Sequence, residues 1–476
     1  MTLESSTQAA AQQSGANGGA SNGAEAPAEG AEEAAPPDAA PPAAPAAPVV
    51  PEGGPAEAGP VQPPPPTIPS VQLPVLAPGL ASAIAPAAVL DLQSTLTLTE
   101  EYSDNFTLSS TDRESNIRSS VSPGVSLIIN GARTKGLVTY NISGYYDTFN
   151  NQIGYFNSLL GQVQYQATPL LTLTAYDTLT QGDQPEQADR LGLRRDRRRF
   201  TSNVLALSAD YLLSRVALRA EYVVSTFFDE GGGSSVSQTA TARASTTILQ
   251  ANTVSLAYEY LRRSGDDVDL NGHLFAASLS RRLTERTAGG VSASYAIRDE
   301  QNVGGQAGGF SSWTTLLFGS YDLPPRLNVT GSIGYGVARS DTGEEIPKIP
   351  ATLALTYRFA RAIAMLSIES GFSETFNLGE NFGLVGTLGV NGSLSYVFTP
   401  LLTGTASAYY RQNEPTNQGT DVRLESNEAW GGGLSLSAQL RRWLNLRLDY
   451  SYTNWSSPSR DGYTESRARA SLSATF

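Results

Sequence analysis

Residues 443–455 read WLNLRLDYSYTNW. Leu444, Leu446, Leu448, Tyr450 and Tyr452 alternate with Asn445, Arg447, Asp449, Ser451 and Thr453, so a strand here has one greasy face and one hydrophilic face. A soluble sandwich strand alternates too, but it usually ends after ~5–6 residues, about half the length of this run. A strand crossing a bilayer at a tilt of ~45° needs ~9–11 residues. The stretch therefore predicts a membrane-crossing β-strand with lipid on the leucine side and water on the other.

Working outward, the same alternation recurs from Leu90 to Phe476. Short connections fall at 130–135, 167–171, 213–215, 250–252, 283–287, 323–326, 360–362, 398–402 and 441–443. Longer polar ones fall near 104–115, 148–155, 181–199, 229–235, 263–270, 298–311, 339–348, 376–381, 412–427 and 455–466. Nine short turns interleaved with ten long loops predict twenty antiparallel strands. Closing such a sheet on itself removes its two unpaired edges, so the expected fold is all-β, a transmembrane up-and-down barrel of about 20 strands. With short turns in the periplasm and an even strand count, both termini are expected there, in the outer membrane of a Gram-negative cell.

Aromatic residues mark two levels. Tyr165, Tyr211, Tyr321, Tyr357 and Tyr396, with Phe359 and Phe398, sit just before short turns. Tyr146, Tyr222, Tyr260, Tyr335, Tyr410 and Tyr452, with Phe372, sit toward the far ends of strands leaving them. Two such levels are expected where amphipathic rings meet the two headgroup layers. The final strand, RARASLSATF, ends on Phe476, which resembles the signal read by the barrel assembly machinery and implies that machinery as a partner.

Residues 1–88 are rich in Ala, Pro, Gly and Glu, a composition that buries too little apolar surface to offset chain ordering. They read as a disordered acidic Pro/Ala-rich periplasmic tail before a barrel at 89–476, either a spacer, a segment reaching the pore or a recruiter of a periplasmic protein partner. The 476 residues include no Cys, one His and only two lysines, Lys135 and Lys348. Without cysteine there is no disulfide framework and no thiol chemistry. The tail holds eight acids and no base, which leaves about −5 of the formal −13 for the rest; this modest charge argues against nucleic acid as a partner. The apolar stretch 73–90 is broken by Pro74, Pro78, Gly79 and Pro86, so it does not read as a membrane helix. Nothing near Met1 reads as an export signal, which is expected to have been lost or to precede the given start.

The first hairpin contains Tyr102 to Phe106 (YSDNF), then Ser122-Pro123-Gly124 opening a returning strand (SPGVSLII), then a Tyr-rich third strand. In these motifs it resembles the outer-membrane β-barrel porin family of the exopolysaccharide-export-associated type. The resemblance covers about the first sixty residues of the barrel and implies passive transport or polymer secretion. It supplies no substrate.

RLGLRRDRRRF, residues 190–200, concentrates Arg190, Arg194, Arg195, Arg197, Arg198 and Arg199 in one loop. Folded inward they would form a cationic eyelet favouring anions. Held outside they would pair with lipopolysaccharide phosphates at the lipid surface, and a plain solvated basic loop is the third reading. Arg219, Glu221, Arg447 and Asp449 fall on the hydrophilic face and are expected to line the lumen, as are Tyr145 and Tyr409, which could stack on sugars. SGDDVDLNG, residues 264–272, has the Asp/Asn spacing that opens a calcium loop, but its twelfth position is Ser278 and no helix flanks it, so it reads as an Asp-rich turn. His273 reads as a rim histidine. No catalytic constellation, cofactor motif or metal set emerges, and the expected role is non-enzymatic: a channel for hydrophilic solutes or a secreted polysaccharide, or else an envelope anchor whose tail recruits partners.

Overall fold

The computed structural model describes residues 89–184, 197–231, 233–248, 251–265, 268–302, 307–341, 343–374, 384–415, 426–458 and 461–476. Residues 1–88, and with them every reading of the tail, lie outside the described residues. The chain begins with β1 (Val89–Ser103), β2 (Asn116–Asn130), β3 (Thr134–Asp147), β4 (Gln152–Thr168), β5 (Leu171–Gly182), β6 (Phe200–Leu212) and β7 (Val216–Asp229). It continues with β8 (Ser234–Ile248), β9 (Asn252–Gly265), β10 (Val268–Arg282), β11 (Thr287–Asn302), β12 (Ala307–Leu323), β13 (Leu327–Ser340) and β14 (Glu345–Lys348). It ends with β15 (Ala351–Arg358), β16 (Ala362–Glu374), β17 (Leu384–Thr399), β18 (Leu402–Pro415), β19 (Asn427–Arg441), β20 (Leu444–Ser456) and β21 (Tyr463–Thr475).

Apart from β14 and β15, each strand pairs antiparallel with its neighbours in sequence, and β1 pairs with β21, so the sheet closes. β14 and β15 both lie along β13 and are two halves of one strand broken at Ile349 and Pro350. Proline has no N–H to donate, yet the Pro350 carbonyl still accepts from the Gly334 amide at 2.9 Å. The barrel thus has twenty strands. At the closing seam Ser94 and Phe476 exchange backbone bonds of 3.1 and 2.8 Å, so the first and last strands meet at the short-turn end.

Local chemistry explains the turns. In TPLL at 168–171 the Thr168 hydroxyl accepts from the Leu170 and Leu171 amides at 3.2 and 3.0 Å. The second TPLL, at 399–402, repeats this, with Thr399 accepting from the Leu401 amide at 3.3 Å. Such hydroxyl-to-amide bonds are what make Ser and Thr turn formers. Register shifts occur between Gln166 and Thr168, Val397 and Thr399, and Gln439 and Arg441, all beside short turns.

Two expected loops prove tighter. β9 and β10 reach Gly265 and Val268, so Asp269, Asn271 and Gly272 belong to a strand rather than a loop. Likewise β11 runs to Asn302 and β12 begins at Ala307. The backbone ladder continues through this Asp-, Gln- and Gly-rich sequence, since polar side chains at a rim do not forbid pairing. Most girdle residues are outward and exposed, among them Tyr165, Tyr211, Tyr321 and Tyr396 at the short-turn end and Tyr146, Tyr222 and Tyr335 nearer the loops. Phe372 departs from this pattern. It packs against the buried cluster of Leu261, Leu270, Phe310, Ala338 and Leu384 instead of standing in the girdle.

Candidate functional site: the barrel lumen

With lipid-facing side chains on one parity of each strand, the other parity must line the lumen. Along β1–β3 and β20–β21 this inner face is rich in hydroxyls that bond across strands. Thr97 meets Ser473 at 2.9 Å, Thr99 meets Ser471 at 3.2 Å, Ser126 meets Thr139 at 3.0 Å, and Ser122 bonds Ser143. Ser395 with Thr405 and Ser332 with Thr352 add rungs at 2.9 Å elsewhere on the wall. Between β1, β2, β20 and β21 the rungs border a concavity of about 400 Å³ that also receives Arg447 and Arg469.

The expected wall charges lie on this inner face, and they lie as pairs. Arg447 donates to Asp449 at 2.9 Å, and Arg469 approaches the same carboxylate at 3.8 Å. On the inner face of β6 and β7, Arg219 sits 3.1 Å from Glu221 and 3.7 Å from Asp210. Further round, Arg298 is 1% exposed and 3.6 Å from Glu259.

The inner wall is not hydrophilic all round. Ala206, Val223, Leu274, Ala276 and Leu316 are inward on β6–β12 and buried. The lumen is therefore lined by hydroxyls and charges at the seam, whereas on β6–β12 these apolar residues are interspersed with the ion pairs of Arg219 and Arg298 and with buried Ser237, Thr239 and Ser292. Period-two reading tells inside from outside only where the faces differ in polarity, and the sequence reading missed these inward apolar residues because apolar side chains stand on both faces there.

At the loop end of the seam, the YSDNF stretch folds over the last strand. The Ser103 hydroxyl donates to Glu465 at 2.6 Å, and Asp104 accepts from the Ser466 amide at 2.7 Å. The Asn105 side chain is fully buried and donates to the Ser109 and Thr464 carbonyls, both at 2.8 Å. Leu108, at φ 54°, packs with Ala429, Trp455 and Tyr463. Phe106 stands 4.7 Å from the Arg197 guanidinium and 5.6 Å from that of Arg118.

Arg118 forks between two carboxylates, donating to Asp147 at 2.7 and 2.8 Å and to Asp183 at 3.0 and 2.6 Å. Such bidentate contacts are the strong form of the ion pair. Burial by itself would raise the Asp183 carboxyl. Hydrogen bonds from Arg118 and the charges of Arg118 and Arg197 outweigh that and hold it below the usual carboxylate range.

The arginine loop divides. Arg190, Arg194 and Arg195 lie outside the described residues. Arg197 turns into the mouth, buried, and pairs with Glu465, which also receives Arg467 at 3.1 Å. Arg199 donates to the Tyr155 carbonyl at 2.9 Å and lies 3.8 Å from Glu230, while Arg198 is exposed. Only Arg197 of the described three is placed within the mouth.

Tyr145 and Tyr409 are inward, but both rings are engaged. Tyr145 stacks on Phe156 at 4.6 Å, lies 4.5 Å from Arg118, and covers Gly154, where a Cβ would strike its ring. Tyr409 lies over Gly431, donates to Thr453 at 3.1 Å and packs on the Trp455 cluster. These tyrosines are wall pieces. Arg118, Asp147, Asp183 and Glu465 escaped the sequence reading because their cross-strand partners lie 29 to 362 residues away along the chain. The one available signal was the Ser-Asp-Asn run before the first loop, since those side chains bond backbone groups readily. Among the described residues no three His, Asp or Glu side chains gather as a metal set.

No family model matches the chain, and no curated protein matches it. The barrel is similar to the outer membrane protein opdK from Pseudomonas aeruginosa, at 12% identity over 81% of this chain and 99% of that one, with a TM-score of 0.40. It is similar to a BenF-like porin from Pseudomonas fluorescens Pf-5 at 11% identity, 81% and 99% coverage and a TM-score of 0.42. Against the unliganded ferric citrate transporter FecA the figures are 12%, 81%, 79% and 0.48. Likeness at this level bears on neither substrate nor mechanism.

Proposed function

We propose that the protein is an outer-membrane channel that passes hydrophilic solutes by diffusion. The observation that carries this reading is the seam side of the lumen, where hydroxyl rungs and paired charges face inward behind a lipid-compatible outer wall. A solute crossing there exchanges water hydrogen bonds for wall hydroxyls at little cost. Arg219 with two acids leaves one net negative charge and Arg447 and Arg469 sharing Asp449 leave one net positive charge, so the two clusters offset each other and favour neither sign of ion overall. Selectivity then comes from size and hydrogen bonding, with weak preference between anions and cations.

The repeated hydroxyl rungs favour a second reading of the same channel, passage of a secreted polysaccharide, whose own hydroxyls match that surface. The engaged rings of Tyr145 and Tyr409 mean that such a chain would be met by hydroxyls rather than by stacking. Single-channel recording of the purified barrel in planar bilayers is the test. Discrete conductance steps with a small reversal potential across a KCl gradient are expected. A silent barrel sinks the channel, and a large anion-selective potential abolished by Arg197→Ser would favour the cationic eyelet. Block of the steps by oligosaccharides, absent with size-matched polyethylene glycol, would select the polysaccharide.

A further inference from the structure

The outer wall is not uniform. On β6–β8 the directly paired outward residues are Ala209, Ala220 and Ala242, and on β10–β11 they are Ala277 and Ala293. Elsewhere in the same band the outward positions carry Leu353, Leu355, Leu446 and Leu448, so the alanines leave a recess. Tyr211, Tyr258, Phe275 and Tyr295 flank it, and together they enclose an apolar concavity of about 860 Å³. It spans six strands, roughly 24 Å at ~4.8 Å per strand.

A polar ladder stands at the upper edge of the recess. The Tyr258 hydroxyl shares a 2.9 Å hydrogen bond with His273 Nδ1, and Tyr258 also packs on Phe275 at 5.2 Å. One step higher, Tyr260 lies 5.4 Å from the His273 ring and donates to Asn271 at 3.3 Å. Arg262 is directly opposite Asn271 on the outward face, exposed, with no ion-pair partner among the described residues. The single histidine of the chain is thus outside the lumen, between a greasy trough and an unpaired guanidinium.

We propose that this wall binds one molecule of lipid A, with acyl chains in the alanine trough and a phosphorylated sugar headgroup at His273, Asn271 and Arg262. Guanidinium suits phosphate, while amide and imidazole suit sugar hydroxyls. The breadth across six strands favours a many-chained lipid over a two-chained one. A second copy of this chain fits poorly, because a recess facing its own symmetry mate leaves a void instead of a packed contact. The choice of lipid A rests on the loop end facing outward, as the proposed outer-membrane channel requires.

Thermal unfolding of the full chain in detergent, read by electrophoretic mobility, tests this independently of conductance and orientation. Purified lipid A should raise the unfolding temperature, and phosphatidylethanolamine should not. Arg262→Ser with His273→Ala should weaken lipid A binding at least tenfold. Filling the trough with Ala220→Leu and Ala242→Leu should do the same, whereas Ala364→Leu with Ala406→Leu, outward but beyond the trough, should bind like the unaltered chain. No shift with lipid A, equal binding by the site variants, or equal protection by phosphatidylethanolamine overturns the site. Equal protection by phosphatidylglycerol overturns lipid A as its occupant. A silent channel that still binds lipid A would count against the channel alone.

Discussion

Leu446 and Asn445 are adjacent in sequence and meet different solvents. Leu446 lies on the outward face between Trp443 and Tyr450, and Asn445 borders the lumenal concavity. Arg at 446, three residues from the short turn, should cost an amount between the ~0–1 kcal/mol of an interface and the ~2–4 kcal/mol of the bilayer midplane, and Arg at 445 less. Urea titration of the barrel folded into vesicles checks this; equal tolerance would mean the faces are misassigned. At Asp183 the sign of a pH effect follows from its lowered folded-state value. Its contribution is complete above the ordinary carboxylate value of ~4 and is lost as pH falls through the lower folded value. A nitroxide on Arg198→Cys should therefore be immobile at neutral pH and loosen only once pH falls below the ordinary carboxylate value, and Asp183→Asn should loosen it already at neutral pH. Unchanged mobility across that range would refute the anchoring of this loop by Asp183.

Among the elements, the seam is one of the shorter ladders. β1 registers with β2 over fifteen residue pairs but with β21 over nine. The first loop supplements that ladder with side chains, since Ser103, Asp104 and Asn105 each bond to the stretch 464–466. Asn105→Ala removes both donated bonds and leaves the Thr464 and Ser109 carbonyls short of a partner, at about 1–3 kcal/mol for such buried groups. The expected outcome is faster amide exchange at 464–468 and noisier channel openings, with exchange at the β10–β11 ladder unchanged. Uniform faster exchange would mean that Asn105 supports the whole barrel and not the seam.

For the molecule as a whole, closure places every short turn at the end where β1 starts and β21 stops, so one labelling experiment orients it. The chain has no cysteine, which makes single substitutions clean reporters. Cysteine in place of Ser264, at the loop end of β9, should react with membrane-impermeant maleimide on intact cells. Cysteine in place of Gly131, in the first short turn, should react only after the outer membrane is breached. The reverse result would turn the barrel over and remove lipid A from the recess, leaving the fold untouched.

The alternation in WLNLRLDYSYTNW and its repeats determined the strand class, the count of twenty and the inward placement of Arg219, Glu221, Arg447 and Asp449. It could do so because a period of two is a local property, set by backbone geometry and by which solvent touches each face. The extents of strands β9 to β12 were less legible, since polar residues at a rim neither favour nor forbid continued pairing. Only the tertiary structure decided what the inner residues do. Whether Tyr145 offers its ring to a sugar or spends it on Phe156 and Arg118, and whether Arg197 charges the mouth or is matched by Glu465, depends on strands brought together by closure. Charge and contact energies are set by distances in space, and the chain separation of 268 residues between Arg197 and Glu465 carries no local trace of them.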